Sequence, residues 1–250
     1  MRYVISLMKK STEHISVATI FALLLCQAAF AQTTKPLNLP GYDKEKLHFG
    51  FSLAVNKAYF VLYPATDAAR PDSVLGVEAI PDWGFNLGIV SDLRLHEYLT
   101  VRFLPALSFQ GRILEYSIDS TSIPGTSAFY TTRKKVESTL LDFPINMKIR
   151  SERLNNMSVY LLAGGKFSID LASQAGVKNP DLLKLNGKEW CLEAGFGLDF
   201  YLEYFKLSTE IKFSAGLNNR LFPEPTPTTY ASPLQKILTK TWLFSLNFEG

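Results

Sequence analysis

The chain has 250 residues, of which 47% are hydrophobic, 13% aromatic and 20% charged, and its formal net charge is +3. The first 31 residues hold Arg2, Lys9 and Lys10 against Glu13 and so carry +2, which leaves +1 for the rest of the chain. A nucleic-acid-binding surface requires a concentrated basic face, and the sequence has no basic block, so nucleic acid is excluded as a partner.

Residues 1–31 have the organisation of a secretory signal peptide. Two lysines precede an apolar core, and an Ala-Phe-Ala sequence predicts cleavage after Ala31. The core is too short for a membrane-spanning helix, which needs about 20 apolar residues. A lipoprotein signal at Cys26 is disfavoured because Leu25 occupies a position that must be small. We therefore predict an exported protein whose mature chain begins with a short periplasmic segment at 32–46.

Cleavage would leave Cys191 as the only cysteine, so no intramolecular disulfide is expected. His48 and His96 stand at no spacing that a structural zinc site uses. The sequence therefore predicts no metal and no other cofactor.

The mature chain alternates large apolar residues with small or polar ones, the period of a β-strand with two unlike faces. The first run sets Phe49 and Phe51 on one face against Gly50 and Ser52 on the other. No stretch after residue 32 contains the run of about 18 apolar residues that a membrane helix requires. Eight alternating segments are predicted, near 47–55, 84–93, 98–110, 136–149, 157–169, 188–200, 205–216 and 240–248.

The chemistry of the two faces distinguishes a membrane barrel from a soluble sandwich. One face is large and aromatic, while the other consists of glycine, serine and charged residues. A small closed barrel has no room inside for so many rings, whereas in a membrane barrel the large face contacts lipid and the polar face fills the lumen. Only a closed barrel satisfies the backbone of strands at membrane depth. The predicted fold class is all-β, an eight-stranded antiparallel transmembrane β-barrel over residues 47–250.

The connections alternate in length, as in outer-membrane barrels with four long outer loops and three short periplasmic turns. Three tryptophans each begin a strand after a long loop, which predicts a belt at the outer interface, and three tyrosines flank short turns at the periplasmic interface. These aromatic residues are Trp83, Trp190, Trp242, Tyr98, Tyr201 and Tyr204. The predicted long loops span 56–83, 111–135, 170–187 and 217–239, and the predicted short turns span 94–97, 150–156 and 201–204.

The residues predicted to face the lumen carry both signs of charge, which favours a lumen closed by ion pairs over an aqueous pore. The predicted inward charges include Arg102, Asp142, Lys148, Lys166, Glu193, Asp199, Lys206, Glu210 and Lys212.

The prolines predict local features of two strands and of one outer loop. Pro105 and Pro144 fall inside predicted strands, where proline removes a hydrogen-bond donor, and a β-bulge is predicted at each. The Pro-rich stretch at 222–230 is predicted to be an extended outer loop, either docking a partner or simply exposed.

The sequence shows no arrangement of catalytic residues. His48 falls at the periplasmic start of the first strand and His96 in a short turn, and neither has the adjacent serine and acid that would activate a nucleophile. Glu189 and Glu193 share one face of a strand and are interpreted as ion-pair partners in the lumen. We therefore predict that the protein is not an enzyme, with no small-molecule substrate identified and with outer-membrane lipid as its surroundings.

Several stretches carry specific motifs. The most specific are the Arg-Leu-Asn-Asn turn at 153–156 and the segments Tyr-Phe-Lys at 204–206 and Gly-Leu-Asn-Asn at 216–219. Together they resemble the PorT family of outer-membrane barrels from Bacteroidetes. A Glu-x-x-x-Leu-acidic-Phe-Pro motif ending at Pro144 is shared with a broader class of Bacteroidetes barrels. The likeness covers 47–250 and is densest at 136–219, with further similar positions at 148, 151–152, 160, 164–165, 170–172 and 195–200.

The resemblance implies a part in type IX secretion, the route that exports proteases, adhesins and gliding proteins, with other secretion-system proteins as partners. The family offers no catalytic residue to carry over. The second short turn is polar and faces the periplasm, so Glu152, Arg153, Asn155 and Asn156 are candidate partner contacts, unless the turn is merely solvated. The alternative function is a stand-alone outer-membrane barrel for surface binding or envelope integrity.

Overall fold

The computed structural model describes residues 36–65, 74–119, 129–173, 183–222 and 230–250. The predicted signal peptide and most of the proline-rich outer loop lie outside these residues. Within them, a 3-10 turn at Tyr42–Lys44 precedes nine strands, and no helix is long and apolar enough to cross a membrane. The strands are β1 (Leu47–Pro64), β2 (Val74–Arg94), β3 (Leu99–Phe103), β4 (Ala106–Asp119), β5 (Phe129–Arg150), β6 (Met157–Asp170), β7 (Lys188–Tyr201), β8 (Lys206–Gly216) and β9 (Leu234–Glu249).

The strands form one antiparallel sheet that closes on itself, because β1 pairs with β2 on one side and with β9 on the other. β3 and β4 are two parts of a single strand, since both pair with β2 and both pair with β5. The nine strands therefore build an eight-stranded barrel, which confirms the predicted fold class. The barrel lies in a compact unit that spans Asn38–Gly250.

The two strand prolines lie at one shared interruption of the sheet. Phe103 pairs with Ile145 and Ala106 with Asp142, so two residues stand opposite two and none is inserted. The bulges predicted at Pro105 and Pro144 are therefore wrong. Proline lacks a backbone N–H donor but keeps its carbonyl acceptor. The Pro105 carbonyl accepts a hydrogen bond from the backbone N–H of residue 89 at 3.0 Å, and the Pro144 carbonyl accepts one from that of residue 104 at 3.4 Å.

An inserted residue occurs in β2 instead. Pro81 pairs with Arg112 and Phe85 with Phe109, so three residues of β2 stand opposite two of β4. This is the geometry of a β-bulge, and it follows Pro81 of β2, which falls inside the loop predicted at 56–83.

The predicted division into a lipid face and a lumen face is confirmed. Phe51 and Trp83 are 52% and 59% exposed on the outside, while Ser52 beside Phe51 is 5% exposed and faces inward. Trp83 and Trp242 both pair across the strands with Lys57, and Trp190 is exposed on the same outer face. Trp83 and Trp242 therefore lie close together, as expected for an outer belt, and Trp190 lies on the lipid face.

The tyrosines at the periplasmic end do not all share one environment. Tyr204 is 85% exposed and Tyr98 is partly exposed, as predicted for an interface. The prediction for Tyr201 is wrong, because its side chain is 1% exposed and lies in the mouth of the barrel. Its neighbours there, described below, explain this orientation.

Several strands continue outward beyond the tryptophan belt, into regions that were predicted to be loops. Here the polarity of the faces is exchanged: Phe60 and Leu114 point inward, while Lys240 and Arg133 point outward. The inward side chains form the outer apolar cluster, which resembles the core of a water-soluble protein more than the polar lumen below it. Its buried members are Phe60, Val74, Leu114, Tyr116, Leu185, Leu234 and Ile237.

Candidate functional site: the charged lumen and the periplasmic face

The lumen nearest the chain ends is filled by buried charges, here called the periplasmic charge layer. Arg102 donates to Asp92 through two nitrogens at 2.7 Å each, and to Glu210 and Glu249 at 3.1 and 2.6 Å. Lys206 also pairs with Glu249, at 2.5 Å. The layer comprises Asp92, Arg102, Lys148, Asp199, Lys206, Glu210 and Glu249.

Neutral hydroxyl groups complete this layer, which has more carboxylates than cations. Tyr160 donates to Glu210 at 2.9 Å, Tyr42 donates to Glu249 at 3.1 Å, and Ser208 donates to Asp199 at 2.5 Å. A buried carboxylate is costly unless its oxygens accept hydrogen bonds. These donors therefore explain how four carboxylates are held beside three cations.

A second group of charges, the central charge layer, lies further along the barrel axis. Lys166 is 3.6 Å from Asp142 and 3.7 Å from Glu193, and Lys212 is 3.2 Å from Glu193. A cavity of about 20 Å³ adjoins these residues, which is room for about one water molecule. The central layer thus fills this part of the lumen with ion-paired side chains.

The outer charge layer lies between the central layer and the outer apolar cluster. Arg220 binds Asp170 at 2.9 Å and approaches Glu189 at 3.8 Å. Arg112 stacks over the Phe60 ring at 5.0 Å and forms no ion pair with any described residue. The outer apolar cluster follows directly beyond Arg112.

The structure confirms every predicted inward charge, since each has at most 5% of its surface exposed. Glu189 also takes the predicted role of an ion-pair partner in the lumen. Sequence reasoning did not single out Asp92, Arg112, Asp170, Arg220 or Glu249. Asp92 could have been found from its parity within β2, whereas Arg220 lies beyond the end of β8 and follows no alternation.

The N-terminal segment, residues 38–46, covers the periplasmic mouth of the barrel. The Tyr42 ring stacks on His48 with centroids 3.8 Å apart and meets Tyr201 edge-on at 5.9 Å. Burial, together with the nearby carboxylate of Glu249, raises the pKa of Tyr42, so this phenol stays protonated and donates to Glu249. The segment predicted only as periplasmic is thus packed into the mouth.

An ion pair next to Tyr42 holds the same segment. Asp43 is 2.5 Å from Arg150 and 3.6 Å from Arg153. Partial burial alone would raise the pKa of Asp43, but the hydrogen bond from Arg150 and the charges of both arginines lower it overall. The carboxylate is therefore ionised whenever the segment is docked near neutral pH.

The second short turn, with the four predicted contact residues, is the other partner of this segment. Arg153 donates to the Asn38 carbonyl and to the Asn156 side chain, and Asn156 in turn accepts from the Asn38 backbone N–H at 2.9 Å. The turn closes at Asn155, whose φ of 55° is left-handed, and Arg153 donates to the carbonyl of Asn155 at 2.8 Å. Arg153 and Asn156 therefore hold the chain's own N-terminal segment.

Glu152 stands apart from that network and is exposed on the same turn. Its carboxylate accepts a hydrogen bond from the Tyr98 hydroxyl at 3.1 Å, which raises the pKa of Tyr98. Glu152 thus links the first and second short turns, and its side chain remains exposed.

The two histidines occupy the positions expected from the sequence. His48 is buried against Tyr42, and His96 is exposed in the first short turn. The described part of the chain holds no cluster of histidine, cysteine, aspartate and glutamate that could bind a metal ion.

Comparison with known proteins agrees with this architecture. A family model described as an outer membrane protein beta-barrel domain matches residues 30–221. The sequence has no significant match among curated proteins.

Solved outer-membrane proteins are similar at low sequence identity. The attachment invasion locus protein Ail of Yersinia pestis, in complex with the heparin analogue sucrose octasulfate, is 13% identical, with 82% of this chain and 100% of that chain covered and a TM-score of 0.37. OprG of Pseudomonas aeruginosa is 14% identical, with coverages of 82% and 94% and a TM-score of 0.41. Neisserial surface protein A is 11% identical, with coverages of 82% and 99% and a TM-score of 0.40.

Proposed function

We propose that this chain, which belongs to the family of outer membrane protein beta-barrel domains, is a non-conducting accessory component of type IX protein secretion. The observation that carries the proposal is the lumen, which ion pairs fill at three levels between the N-terminal segment and the outer apolar cluster. A barrel closed in this way cannot pass a protein. It acts through the surfaces that it presents at either side of the membrane.

The resemblance to the PorT family supplies the secretion context, and the residues that carry it have defined positions. The Arg-Leu-Asn-Asn turn at 153–156 binds the N-terminal segment. Asp142 of the acidic-Phe-Pro motif pairs with Lys166, and Lys206 of the Tyr-Phe-Lys segment pairs with Glu249. These residues shape the lumen and the periplasmic mouth, which supports a role on the periplasmic side.

The periplasmic face is the proposed contact with another secretion protein. Arg153, Asn155 and Asn156 order the second short turn, and Glu152 presents an exposed carboxylate beside it. The neighbouring third turn exposes Glu203, which has the same chemistry on a turn that is not part of the resemblance at 153–156. This pair of glutamates provides a matched test.

The experiment is deletion of the gene followed by proteomics of the culture medium and the cell surface. We expect type IX cargo to accumulate in the periplasm while other barrels insert normally. Complementation with Glu152→Lys should fail to restore export, whereas Glu203→Lys should restore it. Unchanged export in the deletion strain would overturn the secretion role. Equal behaviour of the two variants would overturn the assigned contact.

The alternative, a stand-alone barrel for surface binding or envelope integrity, is favoured by the outer part of the molecule. Strands that continue beyond the tryptophan belt and enclose the outer apolar cluster present a folded surface outside the membrane. In the deletion experiment, this alternative predicts normal cargo export together with increased sensitivity to detergents and large antibiotics.

Export of the chain itself should begin with removal of residues 1–31. N-terminal sequencing of the protein purified from outer membranes is expected to start at Gln32. A protein that still carries Cys26 would show that the N-terminal stretch is retained instead.

A further inference from the structure

Three lysines stand together on the outward surface of β1 and β9, at and beyond the tryptophan belt. Lys57 pairs across the strands with Trp242, and Lys240 pairs with Tyr59 on the same face. Lys236 follows further out and lies over the Tyr63 ring at 5.6 Å. We call Lys57, Lys236 and Lys240 the outer basic cluster.

None of these lysines forms an ion pair with a described residue. Lys57 instead lies over the Trp83 ring at 5.2 Å. The opposite wall differs, because Lys135 on β5 is neutralised by Asp82 at 3.3 Å and Glu137 at 3.1 Å. At the level where lipid headgroups begin, the outward cations of β1 and β9 therefore have no counter-charge among the described residues.

An apolar groove lies on the same wall, nearer the membrane centre. It has a volume of about 430 Å³ and runs between the large side chains of β7 and β9, over the smaller ones of β8. Phe196 and Phe244 form its sides at one level and remain about half exposed. The groove is lined by Phe196, Leu198, Thr209, Ile211, Phe244 and Leu246.

The groove and the outer basic cluster are joined along β9. Lys240 stands four residues outward from Phe244, roughly 14 Å at the rise of an antiparallel strand. Trp242 lies between them at the membrane interface. A molecule lying on this wall would meet an apolar groove, an aromatic ring and then ammonium groups that form no ion pair with a described residue.

We infer that this wall binds a phosphorylated glycolipid of the outer leaflet, with an acyl chain in the groove and phosphate on Lys57 and Lys240. Anionic lipid headgroups are attracted by lysines at the membrane surface, and tryptophan favours the interface. A soluble anion would use the lysines alone and leave the groove without a role. The order of groove, ring and cation instead matches the order of acyl chain, interface and phosphorylated sugar in a lipid.

The test measures binding of a diphosphorylated lipid A to the purified barrel in detergent, by native mass spectrometry and by titration. The wild-type barrel should bind this lipid more tightly than the same lipid without its phosphates. Lys57→Gln combined with Lys240→Gln should weaken binding roughly 30-fold, because each lysine near a membrane surface contributes appreciably to anionic lipid attraction. Lys135→Gln is the matched control and should leave binding unchanged, because its charge is already neutralised.

A second variant tests the groove. Thr209→Phe places a ring between Leu198 and Leu246, which line the groove on the lipid face, and should weaken lipid A binding on the order of tenfold, through lost apolar contact. The same change at Val159, an outward and exposed residue of β6, is the control for a larger lipid-facing side chain. Inorganic phosphate should not compete at concentrations that leave the barrel folded, which is verified by heat-dependent migration in gels.

The inference is overturned if dephosphorylated lipid binds equally, if Lys135→Gln weakens binding as much as the double variant, or if phosphate alone displaces the lipid. Equal effects of the Thr209 and Val159 changes on lipid binding would show that the acyl chain does not occupy the groove. None of these outcomes depends on secretion, so a failure here leaves the proposed secretion role separately testable.

Discussion

The carboxylate of Glu249 on β9 joins three other elements at the mouth of the lumen. Its oxygens accept from Arg102 at 2.6 Å, from the Tyr42 hydroxyl at 3.1 Å and from Ser208 at 3.2 Å, and Lys206 is 2.5 Å away. It therefore links β3, β8 and the N-terminal segment through one side chain. The alternating segment predicted from the sequence at 240–248 ends one residue before Glu249.

The first prediction concerns Glu249→Gln. Loss of this charge leaves Arg102 and Lys206 buried with fewer counter-charges, and removal of one partner from a buried ion network costs about 3–5 kcal/mol. The free energy of unfolding in lipid vesicles, followed by tryptophan fluorescence during urea titration, should fall by that amount.

The matched control is Glu137→Gln, which removes a carboxylate whose side chain is 75% exposed and pairs only with Lys135 among the described residues. Exposed ion pairs contribute less than about 1 kcal/mol, so its unfolding curve should overlay the wild type closely. If the two variants lose similar stability, the lumen network is not the stabilising feature described here.

The N-terminal segment is an element whose docking depends on charge. Asp43 faces Arg150 and Arg153, with Arg94 nearby, and these cations lower its pKa in the docked state below the ordinary value of 3.8. A depressed pKa means that ionisation favours docking above pH 3.8, and that this contribution is lost as the pH falls through the lowered value.

The second prediction is therefore a pH-dependent release of this segment. A spin label at Lys44→Cys, in a Cys191→Ser background, should be restrained at pH 7 and become more mobile below pH 3.8. Asp43→Asn should show the mobile spectrum already at pH 7 and respond less to acid. Glu45→Gln, an exposed neighbour, should behave as the wild type. A label equally restrained at all pH values in every variant would contradict the role of Asp43.

The outer ends of the strands show why the sequence predicted only part of the length of each strand. At membrane depth the outer face of the barrel contacts lipid and therefore carries large apolar residues. The alternation of apolar and polar residues therefore predicted the part of β1 from Leu47 to Val55 correctly. Beyond the belt the outside meets water, and Lys240 faces outward while Phe60 faces inward. The alternation continues with its polarity exchanged, so a search for apolar outward faces ended each strand too early.

The third prediction follows from this exchange. Leu114 is fully buried in the outer apolar cluster, so Leu114→Ala should lower the free energy of unfolding by about 2–5 kcal/mol, as in a soluble core. Ile113→Ala removes an outward, partly exposed side chain of the same strand and should cost under about 1 kcal/mol. Equal losses would show that the region beyond the belt is not packed as a core.

At the scale of the whole molecule, strand number, closure and the polar lumen could be predicted because each follows from one requirement, a backbone without water at membrane depth. The docking of the N-terminal segment could not, because it rests on three-dimensional contacts such as Tyr42 on His48 and Asp43 on Arg150. Residues 38–46 show no strand alternation, so nothing in their local pattern distinguished a docked segment from a solvated one.

The fourth prediction is that the intact barrel does not conduct ions. The periplasmic, central and outer charge layers fill the lumen in series, and the cavity beside the central layer has room for about one water molecule. In planar bilayers the protein should therefore show no stepwise conductance, while an open porin reconstituted in the same way does. Deletion of residues 38–46 should leave the barrel closed as well, because Arg102 and its three carboxylates lie behind Tyr42. Stepwise conductance in the deletion variant alone would show that the N-terminal segment is a gate. Stepwise conductance in both proteins would show that the charge layers open in the membrane, and it would contradict a barrel that acts only through its surfaces.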